Sequence, residues 1–311
     1  MHRVSGFILL FSLIAGISAF SGNQPTVPSF DEFSAWSQRH PDTDTDLDLY
    51  HRSWWESTPH EGHGGLVEQE ILFPGDPLDP PRRGAVLKHL KELNHAFLPT
   101  GRSTETTSHA ARQTQYVVMD GTGHVEAGGK TAALSYGSVV FIPAGLAYRF
   151  VNTGIGPLEM YLFTEEISAG FEPQKDMTVG NFADNPPGQG QKWHWAHNSR
   201  GVPQGKFANP LSFGIITIDA FDIAQPHVAP IGIEEVWLQI QGTSLMYFGN
   251  RLFRHEAGEA FYITPNYKVP HCSINTTGEP RMWMYIGIRH DRAIPVTLQM
   301  QALIDSLTVK E

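Results

Sequence analysis

The chain has a single cysteine, Cys272, so an intramolecular disulfide is impossible and stability must come from a buried core. Charged residues are scarce at 17%, and acidic ones dominate, with 32 Asp and Glu against 22 Lys and Arg. A net charge of -10 argues against a nucleic-acid partner, which requires a basic face. Long apolar runs are also missing: the stretch Phe7 to Ile17 is too short for a membrane span. The acidic segment DTDTDLDLY, with Asp42, Asp44, Asp46 and Asp48, lacks the glycine and distal glutamate of a calcium loop and reads as a solvated turn. Cys272 follows His271 on a β-prone run, so its side chain points to the opposite face, as a small buried residue and not as a nucleophile.

What is present is a globular composition, 41% hydrophobic over 311 residues, enough for two domains. Residues 1–21 read as a secretory leader: His2 and Arg3, an apolar run, then the small-x-small site Ala19-Phe20-Ser21. The expectation is a secreted or periplasmic protein with no stable membrane span after cleavage; an uncleaved anchor is the alternative. Residues 22–64 read as an irregular segment. Within it, HRSWWESTPHEGHGG carries His51, His60 and His63, either a metal-binding cluster or a Gly/Pro loop packed by Trp54 and Trp55. Short β-prone runs separated by turn residues fill 65–170 and again 211–292. Between them, 171–210 is rich in Pro, Gly, Asn and Gln and reads as a linker or covering loop. Leu298, Ala302, Leu303 and Leu307 recur at helical spacing, which predicts a short C-terminal helix in 293–311.

The two strand-rich blocks share a motif. Gly137 to Asn152 reads GSVVFIPAGLAYRFVN, and Gly258 to Asn275 reads GEAFYITPNYKVPHCSIN, each with a Gly, Pro and Asn frame. The second copy carries His271 where the first has Tyr148, so chemistry is expected in the second. One domain-sized unit is written twice, which suggests paired all-β barrels or jelly rolls. Asn275-Thr276-Thr277 is a formal glycosylation sequon, but it coincides with the frame asparagine and is read as chance.

On these residues the chain resembles the two-domain cupins, or bicupins, across roughly residues 65 to 290. The resemblance implies an all-β fold of two cupin-type jelly-roll β-barrels. It also implies a divalent metal held by two histidines and a glutamate of one motif and a histidine of the other. In the first block His109 fits one histidine position. The other is Thr107 or Ala111, and the glutamate position is Thr114 or Gln115, depending on register. That barrel is expected to be metal-free, serving as a scaffold, a dimer surface or a sugar-like binding pocket. In the second block His227, Glu235 and His271 form the expected metal set, with Ala229 where a second histidine would stand. Two imidazoles and a carboxylate with open positions suit Zn and Fe(II), and the metal is expected to be one divalent Fe, Mn, Ni or Zn ion. Strand alternation puts Glu235, Trp237, Gln239 and Gln241 on one face, so Gln239 joins Glu235 as a catalytic candidate. Trp237, Tyr247, Tyr262 and Tyr267 are the candidate substrate-binding aromatics; His255 and Arg254 are expected in an exposed turn.

The resulting expectation is a secreted metal-dependent bicupin enzyme acting on a small polar substrate, such as a sugar derivative, an organic acid or a phenolic acid. Oxygenase chemistry is favoured because the ligand set suits Fe(II), and a homodimer fits the family. The competing reading is a binding or scaffold cupin with decayed metal sites. A third is a surface or polysaccharide-associated protein attached through its N-terminal histidine/tryptophan segment.

Overall fold

Two antiparallel β-barrels, one per block, account for almost all regular structure in the computed structural model. It describes residues 45–184, 188–189, 195–197, 207–209, 211–229, 233–265 and 269–289. The expected leader, the C-terminal helix and Tyr267 lie outside the described residues.

The N-terminal barrel has a large sheet whose central strands are Ser138–Ile142, Arg112–Asp120, Leu158–Glu166, Leu90–Leu98 and Leu66–Pro74. A small sheet of Tyr148–Asn152, Gly123–Ala127 and Lys130–Leu134 closes it. The C-terminal barrel repeats this plan. Its large sheet centres on Glu259–Ile263, Ile233–Gln241, Arg281–Arg289 and Leu211–Ile218, and its small sheet is Arg251–His255, Ser244–Phe248 and His271–Ile274.

The duplication reaches individual positions. Gly123–Ala127 and Ser244–Phe248 both alternate buried and half-buried residues, as strands with one covered face should. Ser138–Ile142 and Glu259–Ile263 are both buried throughout. The frame asparagines do the same work: Asn152 donates to the carbonyls of Leu98 and Gly156, and Asn275 to those of Asp219 and Glu279. Asn275 is 1% exposed, so its role is to hold a turn.

Two segments expected to be irregular contribute strands. His51–Ser53, within the presumed irregular 22–64, pairs with the edge strand Glu259–Ile263 of the C-terminal barrel, more than 200 positions away in sequence. Thr178–Asn181, within the presumed linker, pairs with Ser138–Ile142 of the N-terminal barrel. Each barrel is thus capped by chain lying outside its own block, which covers an otherwise open sheet edge. A shared apolar core joins Ile71, Leu93 and Phe141 of one barrel to Val236, Tyr262 and Ile286 of the other.

Two buried carboxylates reinforce that junction. Glu234 accepts the backbone N–H groups of Lys88, His89 and Leu90 at 2.6, 3.0 and 2.9 Å, pinning the entry to the N-terminal barrel. Glu165 of the N-terminal barrel accepts the N–H groups of Ala208 and Asn209, at the entry to the C-terminal barrel. Among the described residues no helix is long and apolar enough to cross a membrane.

Candidate metal centre

A pair of two-residue bridges sets the site. His227 and His271 exchange backbone hydrogen bonds at 3.2 and 2.8 Å, which holds their side chains next to each other. Thr107 and Tyr148 make the same exchange in the N-terminal barrel, both bonds at 2.9 Å. Thr114 faces Ile142 as Glu235 faces Ile263. These pairings fix the register left open by the sequence: Thr107, Thr114 and Tyr148 stand where the second barrel has His227, Glu235 and His271. By the same count His109 stands where the second barrel has Ala229. The N-terminal motif positions therefore keep one imidazole, and Thr114 is bonded to Thr164 at 2.8 Å.

In the C-terminal barrel the three expected ligands converge. One donor atom from each of His227, Glu235 and His271 lies within 4.8 Å of the other two. The two imidazole centroids are 4.1 Å apart, and His271 Nε2 is 3.8 Å from Glu235 Oε1. His227 Nδ1 lies 2.9 Å from the Gln225 carbonyl, a bond that leaves Nε2 as the ligating nitrogen. His271 is fully buried, and its Nε2 has no hydrogen-bond partner. A buried imidazole nitrogen left unbonded beside a carboxylate is costly unless something binds there. That orphaned atom, together with a two-histidine, one-carboxylate donor set, fits a divalent metal.

The walls position these ligands. Trp237 Nε1 donates to Glu235 Oε1 at 2.8 Å, and its ring meets His271 edge-on at 5.0 Å. Gly287 lies directly across the sheet from Glu235, and Tyr285 across from Trp237. A side chain at Gly287 would collide with the Tyr285 hydroxyl, so that phenol lies along the strand beside the position facing Glu235. Tyr285 is the wall residue that sequence reasoning did not separate from its aromatic neighbours; its in-register partner is the signal.

Other candidates fall elsewhere. Gln239 shares the face of Glu235 but is fully buried, accepting from Ser244 Oγ at 3.2 Å and donating to the Gln241 carbonyl at 3.0 Å. Those bonds make it a strand-end brace and not a free catalytic amide. Tyr262 pairs with Val236, on the face opposite Glu235, and belongs to the inter-barrel core. Tyr247 pairs with Cys272, on the face opposite His271. Neither tyrosine lines the metal site. His255, expected in an exposed turn, is fully buried at a strand end, at the place of the core residue Leu134 in the first barrel. Cys272 is buried, and burial pushes its thiol up to about 11, which suits an inert packing residue.

A second cluster lies in the N-terminal barrel, outside the motif positions. His63 Nδ1 is 2.7 Å from Glu68 Oε1, and His63 Nε2 is 3.4 Å from Glu92 Oε1. Burial pushes the His63 imidazole down, but Glu68 and Glu92 outweigh it and hold the group at about 9. His63 belongs to the HEGHGG run singled out in the sequence; Glu68 and Glu92 carried no local signal.

Comparison with known proteins agrees with this architecture. Residues 94–164 match the cupin domain family. No curated protein sequence matches the chain at a significant level. Among solved structures, an oxalate decarboxylase of Bacillus subtilis aligns with a TM-score of 0.58 at 14% identity, covering 81% of this chain and 80% of that one. AerE from Microcystis aeruginosa aligns with a TM-score of 0.56 at 14% identity, covering 78% of this chain and 100% of that one. The fold is that of a two-domain cupin, with the N-terminal barrel matching the cupin domain directly.

Proposed function

We propose that the chain is a divalent-metal enzyme acting on a small organic acid, with its active site in the C-terminal barrel. The observation that carries this reading is the buried, partnerless Nε2 of His271, 3.8 Å from Glu235 and beside the His227 ring. His227, Glu235 and His271 would hold the ion, which supplies a Lewis acid able to polarise a carboxylate or phenolate oxygen. The residues around it do the rest. Trp237 fixes Glu235 through its indole N–H, so the carboxylate keeps one orientation as substrate enters. Tyr285, across the sheet from Trp237 and on the face of Glu235, is the candidate to pass a proton to or from a bound acid. The indole face of Trp237 and the buried ring of Trp283, stacked at 5.2 Å, keep this wall apolar and shed water.

An organic acid is preferred because several fold neighbours are oxalate decarboxylases, one of them described through its Mn(II) centres. O₂-dependent chemistry is the preferred reaction class because the donor set suits Fe(II) as well as Mn(II). Secretion and a homodimer complete the proposal; N-terminal sequencing of the exported protein and light scattering test them.

The decisive experiment is metal analysis of the purified chain beside His271→Ala, followed by O₂-uptake and CO₂-release assays with oxalate and phenolic acids. Metal lost in the variant, with turnover by the native chain, supports the reading. Ala229, in place of a fourth ligand, favours the second reading, a binding protein without chemistry. Metal retention with ligand binding but no turnover would select it.

A further inference from the structure

We propose that His63 and Glu92, with Glu68 orienting the imidazole, form a second divalent-cation site, in the N-terminal barrel and built from residues outside the cupin motif positions. One donor atom from each lies within 4.8 Å of the other two. The three reach this point from separate places. His63 sits at the hairpin turn following His60–Gly62, in a left-handed backbone conformation with φ 36°, which is unfavourable for a residue with a side chain. Glu68 stands on Leu66–Pro74 and Glu92 on Leu90–Leu98, adjacent strands of the large sheet. The strained turn delivers the imidazole into the barrel, where its side chain is 6% exposed and that of Glu68 1%.

The bond pattern points to a cation. Nδ1–H of His63 donates to Glu68 Oε1 at 2.7 Å, and Asn94 Nδ2 braces the other Glu68 oxygen at 2.9 Å. This is the carboxylate–histidine arrangement that orients metal-bound imidazoles. Nε2 faces Glu92 Oε1 at 3.4 Å, an ion-pair contact longer than a direct charge-assisted hydrogen bond. Glu92 Oε1 is buried and has no hydrogen-bond partner. A bridging proton would draw nitrogen and oxygen to roughly 2.7–2.9 Å. Two ligands sharing one ion at bond lengths of about 2.1 Å stand roughly 3.0–3.4 Å apart. The observed spacing matches the second case. His109 closes the site: its ring lies 5.1 Å from that of His63, and its Nε2 is buried without a partner. The donors are nitrogen and carboxylate oxygen, which suits Mn²⁺, Fe²⁺, Co²⁺ or Zn²⁺.

The test uses the full chain, stripped with a chelator and then loaded with Co²⁺, with ion content counted by mass spectrometry and the d–d absorption band recorded. Native protein is expected to hold two ions, His271→Ala one, and Glu92→Gln one. The double variant should hold none. Glu92→Gln preserves size and hydrogen bonding, so it carries the test even where His63→Ala does not fold. Ion content that falls to zero in His271→Ala, or that is unchanged in folded Glu92→Gln, overturns the proposal and leaves the cluster as a closed imidazolium–carboxylate pair. One ion that survives His271→Ala but is lost in Glu92→Gln upholds this site while rejecting the C-terminal centre, so the two ideas fail separately.

Discussion

Glu234 and Glu235 are consecutive carboxylates with opposite assignments, and substituting each to alanine should separate structure from chemistry. Glu234 is 2% exposed and accepts three backbone N–H groups from Lys88, His89 and Leu90, all belonging to the other barrel. Hydrogen bonds to a charged acceptor contribute roughly 1.5–3 kcal/mol each, and orphaned buried donors add a penalty of similar size. Three such bonds, partly offset by the cost of burying the charge, put the loss in Glu234→Ala on the order of 4 kcal/mol. Against a total stability of about 5–15 kcal/mol, that is a large fraction. Glu235→Ala removes one indole hydrogen bond at 2.8 Å and should cost only about 1–2 kcal/mol. Both variants must be compared metal-free, since bound metal stabilises the native state by itself. Urea denaturation followed by tryptophan fluorescence reads the stability, and metal loading of the folded protein reads the site. Glu234→Ala is expected to lower the midpoint strongly while binding metal in the C-terminal barrel when folded. Glu235→Ala should show the reverse. Equal destabilisation by the two, or metal loss specific to Glu234→Ala, would refute the division of roles.

Burial pushes His255 and His95 down to about 4, so both stay neutral when folded, whereas each would take a proton near pH 6.5 when unfolded. Stability is therefore expected to fall as pH drops from about 6.5 toward 4, by up to about 3 kcal/mol per group, and His255→Leu, copying Leu134, should flatten that limb in acid denaturation curves. Gly258 has φ 97°, and a side chain there would strike the Trp54 indole, so Gly258→Ala should cost about 1–3 kcal/mol and shift tryptophan emission to the red as the His51–Ser53 strand loosens. Tyr285→Phe should leave metal content unchanged and lower kcat by about 10²-fold if the phenol moves a proton, measured by turnover across pH.

How much of this was legible depended on the range over which each signal acts. The Gly, Pro and Asn frame is local, because Asn152 and Asn275 clamp turns within a few residues, so both barrels could be read directly. His227, Glu235 and His271 were legible through the same frame. The wrong aromatics were not. Glu259–Ile263 is buried on both faces, one toward the barrel interior and one toward the other barrel, so no polar alternation marks Tyr262 as outward-facing. His255 was misread for the opposite reason, since a polar residue in a charged run occupies a core position that only the repeat reveals. The strand His51–Ser53 has a partner over 200 residues away, and nothing local encodes that pairing. The N-terminal cluster was hidden by the motif itself. Attention to Thr107, Thr114 and Tyr148 shows an emptied ligand set, whereas the charges that fill the barrel come from a strained hairpin turn and from Glu68 and Glu92 on neighbouring strands. A buried histidine between two carboxylates is expensive to assemble and would be pointless as mere filling when an apolar residue packs as well. That cost is the physical reason to look for an ion there.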